Sequence, residues 1–237
     1  MTQSINLHTL ILDSLNTLNR NRVMLTPQLM ALSLSFLAGI VMSSGIDPES
    51  VTDMESLVRS PEIQRLVMLG TAIYSVLTAF AHGVTTAMAR VLLERGSTSM
   101  LAARQFVSAG LAPLLALSLI LGLSTVVGLA VLLLPGLLIT LVLMFAMPAF
   151  VMGVGDPLVA VQKSISLVGS NLRESLLLFM AFAGGYMLLN VAMMIFLFIP
   201  FIGVLLSMFL TSTYMAVLSI SMLRAYIALA NQAGPTA

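Results

Sequence analysis

Thr71, Ser75, Thr78, His82 and Thr85 recur at spacings of four, three, four and three residues, the interval that stacks side chains on one helix face. His82 is the one ionisable group in that stretch, and an imidazole changes charge near neutral pH. Such a seam admits two readings. It can be a wet path or polar groove in which His82, Thr78 and Ser75, with Asn190 opposite, contact a ligand or a proton. It can equally be a set of hydrogen-bonding groups that fasten one helix to another. The second is the expectation here, because the partners on offer, Asn190, Thr211, Tyr214 and Ser221, carry no charge.

Other chemistry finds less material. Asp47, Glu49, Asp53, Glu55 and Glu62 form an acidic run interrupted by Pro48 and Pro61, which reads as a solvated loop rather than a cation site. The 18 Met residues, Met144 with Met147 and Met193 with Met194 among them, raise Cu(I) thioether ligation. Flexible filling of apolar helices is the plainer account, as no Cys is present and the two His, His8 and His82, stand elsewhere. No paired acid and base, nucleophile constellation or phosphate-cradling loop appears. Nor is there the concentrated basic patch a nucleic-acid binder needs: ten Lys and Arg against nine Asp and Glu leave a net charge of +1. The expectation is a protein without enzymatic activity, cofactor, metal or nucleic-acid partner.

The elements that position these residues follow from charge-free gaps. Of the 237 residues, 59% are apolar and 8% charged, against roughly a quarter charged in soluble domains. A crossing takes about 20 apolar residues. Runs of 24 uncharged residues separate Arg22 from Asp47 and Arg65 from Arg90, one crossing each. A run of 51 residues from Arg104 to Asp156 and one of 49 from Glu174 to Arg224 must each fold back. The reversals are expected at Pro135 with Gly136 and at Pro200, where proline breaks a helix and glycine permits a tight turn. The chain thus reads as an all-α integral membrane protein with six transmembrane helices, at about 24–46, 66–89, 111–134, 137–154, 175–199 and 201–223.

Arg20, Arg22, Arg90, Arg95, Arg104, Lys163, Arg173 and Arg224 fall on one side of this topology and only Arg59 and Arg65 on the other. Basic loops stay in the cytoplasm, so both termini of this multi-pass protein are expected there. The first twenty residues lack the basic start and compact apolar stretch of a cleavable signal. Instead Leu7, Leu10, Ile11, Leu15 and Leu18 share a helical face, predicting an amphipathic interfacial helix over 5–20. Shorter ones are expected over 98–107, with Met100, Leu101, Phe106 and Val107 against Arg104, and over 156–172, with a mixed face of Val159, Val161, Ile165 and Leu167. The order interfacial helix, crossing, turn, crossing then occurs three times along a single membrane domain.

From Leu132 to Asn190 the chain runs Leu-Leu-Leu-Pro135-Gly136, then a span ending Met147-Pro148-Ala149, then Gly153 to Pro157, Ala160, Ser164, Ser166-Leu167-Val168 and Gly169-Ser170-Asn171, and a new span. This resembles the bacterial membrane-domain family found fused to glycerophosphoryl diester phosphodiesterases and, as six-span proteins, in the YciC-like groups of uncharacterised inner-membrane proteins. The matching positions are Pro135, Gly136, Pro148, Pro157, Ser164 and Asn171. The resemblance implies a fold and an address but no reaction, since the phosphodiesterase chemistry of the fused relatives sits in a separate soluble domain. The functional expectation is therefore a scaffold, an accessory subunit of a membrane complex or a lipid-organising module. Its expected partners are membrane lipids, with a protein partner or a second copy of the chain. A small transporter or lipid-translocating protein using the seam of span two is the alternative.

Overall fold

The computed structural model describes residues 6–44, 60–131, 133–196, 199 and 202–233. Pro200 and most of the acidic run, Asp47 to Glu55, lie outside the described residues. Among those described there are helices and no strand, and six helices are long and apolar enough to cross a membrane. The protein is an all-α, multi-pass membrane protein.

Helix α1, Leu7–Arg20, opens on Asn6, whose side chain accepts from the amides of His8 and Thr9. A 3₁₀ turn over Arg22–Leu25 leads into α2, Thr26–Ser43. Helix α3, Pro61–Arg95, is capped by Ser60, starts on a proline that has no amide hydrogen to leave unpaired, and stops at Gly96 with φ of +72°. Its 35 residues span about 52 Å at 1.5 Å per residue, well beyond the hydrocarbon thickness. Helix α4, Met100–Val131, bends at Gly110 (φ −141°, ψ 35°), three residues before Pro113. Gly110 thus separates the segment expected as an interfacial helix over 98–107, which begins at Met100, from the third crossing.

Two expectations about the fourth span need correction. The reversal does not sit at Pro135 and Gly136: α5 runs Leu133–Leu143, so both residues are inside it. Proline is tolerated in a first helical turn because its amide would have had no acceptor there. Gly136 serves packing instead, since a Cβ on Gly128 of α4 would lie 2.8 Å from the Gly136 Cα. Nor is the span one helix over 137–154. It breaks at Met144 and Phe145, resumes as α6, Ala146–Ala149, and widens into a π-turn over Phe150–Val154 that ends at Gly153 and Gly155 in positive φ.

Helix α7, Pro157–Ser170, begins at Asp156, whose carboxylate accepts from the amides of Leu158 and Val159. Its inward face is Ala160, Ser164, Leu167 and Val168. Val159 and Ile165, expected on the apolar face, are exposed. Asn171 closes α7 through bonds to the Leu167 carbonyl, and its own carbonyl accepts from Ser175 as α8, Leu172–Phe196, begins. Helix α9, Ile202–Ala233, runs past the expected end at Leu223, so Arg224 lies within it.

The closest packing joins α3 to α4, α2 to α3 and α4 to α5, with α9 against α1, α2, α3 and α8. A Cβ on Gly122 of α4 would stand 2.8 Å from the Val76 amide nitrogen, so the backbones of α3 and α4 nearly touch there. The buried core, including Met24, Met88, Leu114, Phe145, Leu167 and Leu223, gathers towards the end where α1 docks. The opposite ends of α2 and α8 present Leu37, Val41, Met187 and Leu188 outward, as lipid-facing helices do.

Candidate functional site

The seam on α3 does not form a continuous polar path. Thr71 bonds the Val67 carbonyl at 2.7 Å and Thr78 the Tyr74 carbonyl at 2.8 Å, each within its own helix. Ser75 lies at the α4 crossing, where Gly122 meets the backbone of Ser75 and Val76. Asn190 is exposed and bonds the Tyr186 carbonyl at 2.8 Å. Only His82 reaches across, with Nδ1 at 2.7 Å from Ser219 Oγ on α9. Ser219 Oγ also lies 2.8 Å from the Met215 carbonyl of its own helix, to which it can donate.

Ser219 was not among the partners the sequence offered. Of those, Thr211 bonds Met193 Sδ at 3.6 Å and the Tyr214 hydroxyl donates to the Phe182 carbonyl, so both fasten α8 to α9. Tyr214 also packs on Tyr186, with ring centroids 5.7 Å apart. Ser221 is fully buried and unpaired, as are Thr85 and both amide atoms of Gln28, which is 1% exposed. Thr85 lies one turn beyond His82 on α3.

The break in the fourth span is satisfied from α7. Pro148 has no amide hydrogen, so the helix loses its bond to Met144 and opens one turn earlier. Into that opening Ser164 places its hydroxyl, donating to the Val142 carbonyl at 2.7 Å and accepting from the Phe145 amide at 3.1 Å. Arg90 of α3 donates through Nη1 to the Val151 carbonyl in the π-turn at 2.5 Å and pairs through Nε with Glu94 at 2.7 Å. Pro148 and Ser164 thus act on one feature, whereas Pro157 only starts α7, and Asn171 joins α7 to α8.

Three segments share an arrangement at the α1 end: α1, the bent start of α4 and α7. Each buries one face in the bundle and exposes apolar residues beside a basic one. These are Leu12 and Leu15 with Arg20, Met100 and Leu101 with Arg104, and Leu158, Val159 and Ile165 with Lys163.

The described residues contain no group of three or more His, Cys, Asp or Glu placed to hold a metal. The neighbouring thioethers of Met193 and Met194 diverge, one buried and the other exposed. No family model, curated protein or solved structure matches the chain.

Proposed function

We propose that this protein is a non-enzymatic module of the bacterial inner membrane, with both termini in the cytoplasm, that organises lipid around its basic end and serves there as a scaffold or accessory subunit. The observation that carries the reading is the set of three amphipathic segments at the α1 end, each held by the core and each presenting apolar and basic side chains together. Such surfaces sit at the boundary of headgroups and acyl chains, the apolar residues below and the cations among phosphates. The eight-to-two bias of basic residues supports the cytoplasmic placement of that end. The resemblance to the six-span family, on Pro135, Gly136, Pro148, Pro157, Ser164 and Asn171, supports the same address.

A second reading, a small transporter or lipid-translocating protein, is favoured by the discontinuous fourth span, because broken helices with open backbone groups build many transport sites. Against it, the Phe145 amide and Val142 carbonyl are already paired by Ser164. Reconstitution separates the two. Vesicles containing the pure protein and a trace of phospholipid with a headgroup fluorophore are treated with an impermeant quencher. A module that only organises lipid leaves the quenched fraction equal to that of protein-free vesicles. Excess quenching would replace this reading with lipid translocation.

A further inference from the structure

Between α1 and the ends of α3 and α9 lies an open cleft of about 460 Å³, within the ~300–1,000 Å³ of small-molecule sites. Its lining joins apolar Leu92, Leu93 and Ile220 to polar Asp13, Arg20 and Arg224. Two electrostatic features of opposite sign meet there. Arg224 donates to the Thr17 hydroxyl at 2.8 Å and stands 3.5 Å from Asp13, while its Nε is buried without a hydrogen-bond partner. The part of the Arg224 side chain that is exposed, about 25%, borders the cleft, and Arg20, exposed on the same lining, supplies a second cation.

Against these cations stand the Asp13 carboxylate, 63% exposed, and the carboxyl-terminal ends of α1 and α3. The last carbonyls of a helix have no donor within it, and each such end acts as roughly −0.5 of a charge. At the end of α3 the Leu92 carbonyl is taken by the Gly96 amide, and Leu93, next in line, borders the cleft. Two guanidiniums thus face one carboxylate and two negative helix ends, which sum to about zero. A lone anion would be held by one half of this lining and opposed by the other, as would a lone cation. A zwitterion matches both.

We propose that the cleft binds the phosphoethanolamine headgroup of a membrane phospholipid, its phosphate on Arg224 and Arg20 and its ammonium on Asp13 beside the negative ends of α1 and α3. This rests on the lipid-organising reading and narrows it to one headgroup class. Leu92, Leu93 and Ile220 continue the site towards the glycerol and the first acyl carbons. A primary ammonium can donate hydrogen bonds to Asp13, whereas a trimethylammonium donates none.

Thermal melting in mild detergent tests this with added dioleoyl phosphatidylethanolamine, phosphatidylcholine or phosphatidylglycerol, and with free O-phosphoethanolamine. The ethanolamine lipid should raise the Tm most and the free headgroup least. Arg20→Gln, on an exposed side chain, should reduce the shift from every phospholipid. Asp13→Asn should remove the preference for ethanolamine over glycerol. If no phospholipid moves the Tm, the lipid-organising reading fails together with the cleft assignment. If phosphatidylglycerol matches the ethanolamine lipid, or both variants keep the wild-type order, the cleft assignment is overturned and the wider reading stands. An equal shift from free O-phosphoethanolamine overturns the membrane source of the ligand.

Discussion

Ser164 on α7 and Phe145 in the broken fourth span are joined by a bond from the Phe145 amide to the Ser164 hydroxyl at 3.1 Å, and that hydroxyl donates in turn to the Val142 carbonyl at 2.7 Å. One side chain therefore pairs the two backbone groups that the break exposes, in surroundings where Phe145 is fully buried. Ser164→Ala removes both bonds, and an unpaired buried polar group costs about 1–3 kcal/mol. Melting in detergent should show that loss for Ser164→Ala and almost none for Ser166→Ala, whose side chain is exposed.

His82 and Ser219 make the only described bond between the α3 seam and another helix. His82→Gln, which keeps neutral hydrogen-bonding capacity, should leave stability nearly unchanged. His82→Leu should cost about 1 kcal/mol, the scale of interhelical hydrogen bonds in membranes. Ser219→Ala combined with His82→Leu should cost less than the two single changes added, since they remove one shared bond. A cellular phenotype lost in His82→Gln at unaltered stability would instead make the imidazole a proton or ligand contact.

Gly122 permits the near contact of α3 and α4. A Cβ there would stand 2.8 Å from the Val76 amide nitrogen and 3.0 Å from the Ser75 carbonyl carbon, backbone atoms that cannot swing aside. Gly122→Ala should therefore destabilise by about 1–3 kcal/mol, the usual cost of overpacking. Gly184→Ala on α8 meets nothing within 4 Å and should be neutral or slightly stabilising in the same melting series.

The positions of the crossings were legible because a charge-free run can be measured against a bilayer, whereas the bend at Gly110 was not. What stayed hidden depends on long-range packing. Proline reads as a helix breaker, yet Pro135 sits in the first turn of α5, where its missing amide costs nothing. The break near Pro148 was readable as a kink, but its mending by Ser164 joins residues 19 and 22 positions apart. Several hydroxyls on α9 could have met His82, and only the rotation of that helix selects Ser219 over Thr211 or Ser221. The inner face of α7 is hidden from apolar patterning because its small residues, Ala160 and Ser164, pack inward while larger Val159 and Ile165 turn out. Charge balance in the cleft was invisible in the sequence because Asp13 and Arg224 lie at opposite ends of the chain.

Sidedness is checked with single cysteines, which the natural sequence lacks altogether. Ser44, exposed at the far end of α2, and Ser97, exposed just after Gly96, lie at opposite ends of the bundle. In intact spheroplasts an impermeant thiol reagent should label Ser44→Cys and spare Ser97→Cys. The reverse pattern would place both termini outside.

The most direct measurement is native mass spectrometry of the protein purified from its membrane in mild detergent, with everything retained identified. The folded six-span chain should keep phospholipid, alone or with a stoichiometric protein partner, and lose that lipid when Arg20, Arg104 and Lys163 are replaced together by Gln. A chain that carries no phospholipid, or retains it unchanged after those three replacements, would contradict the claim that its basic end organises lipid.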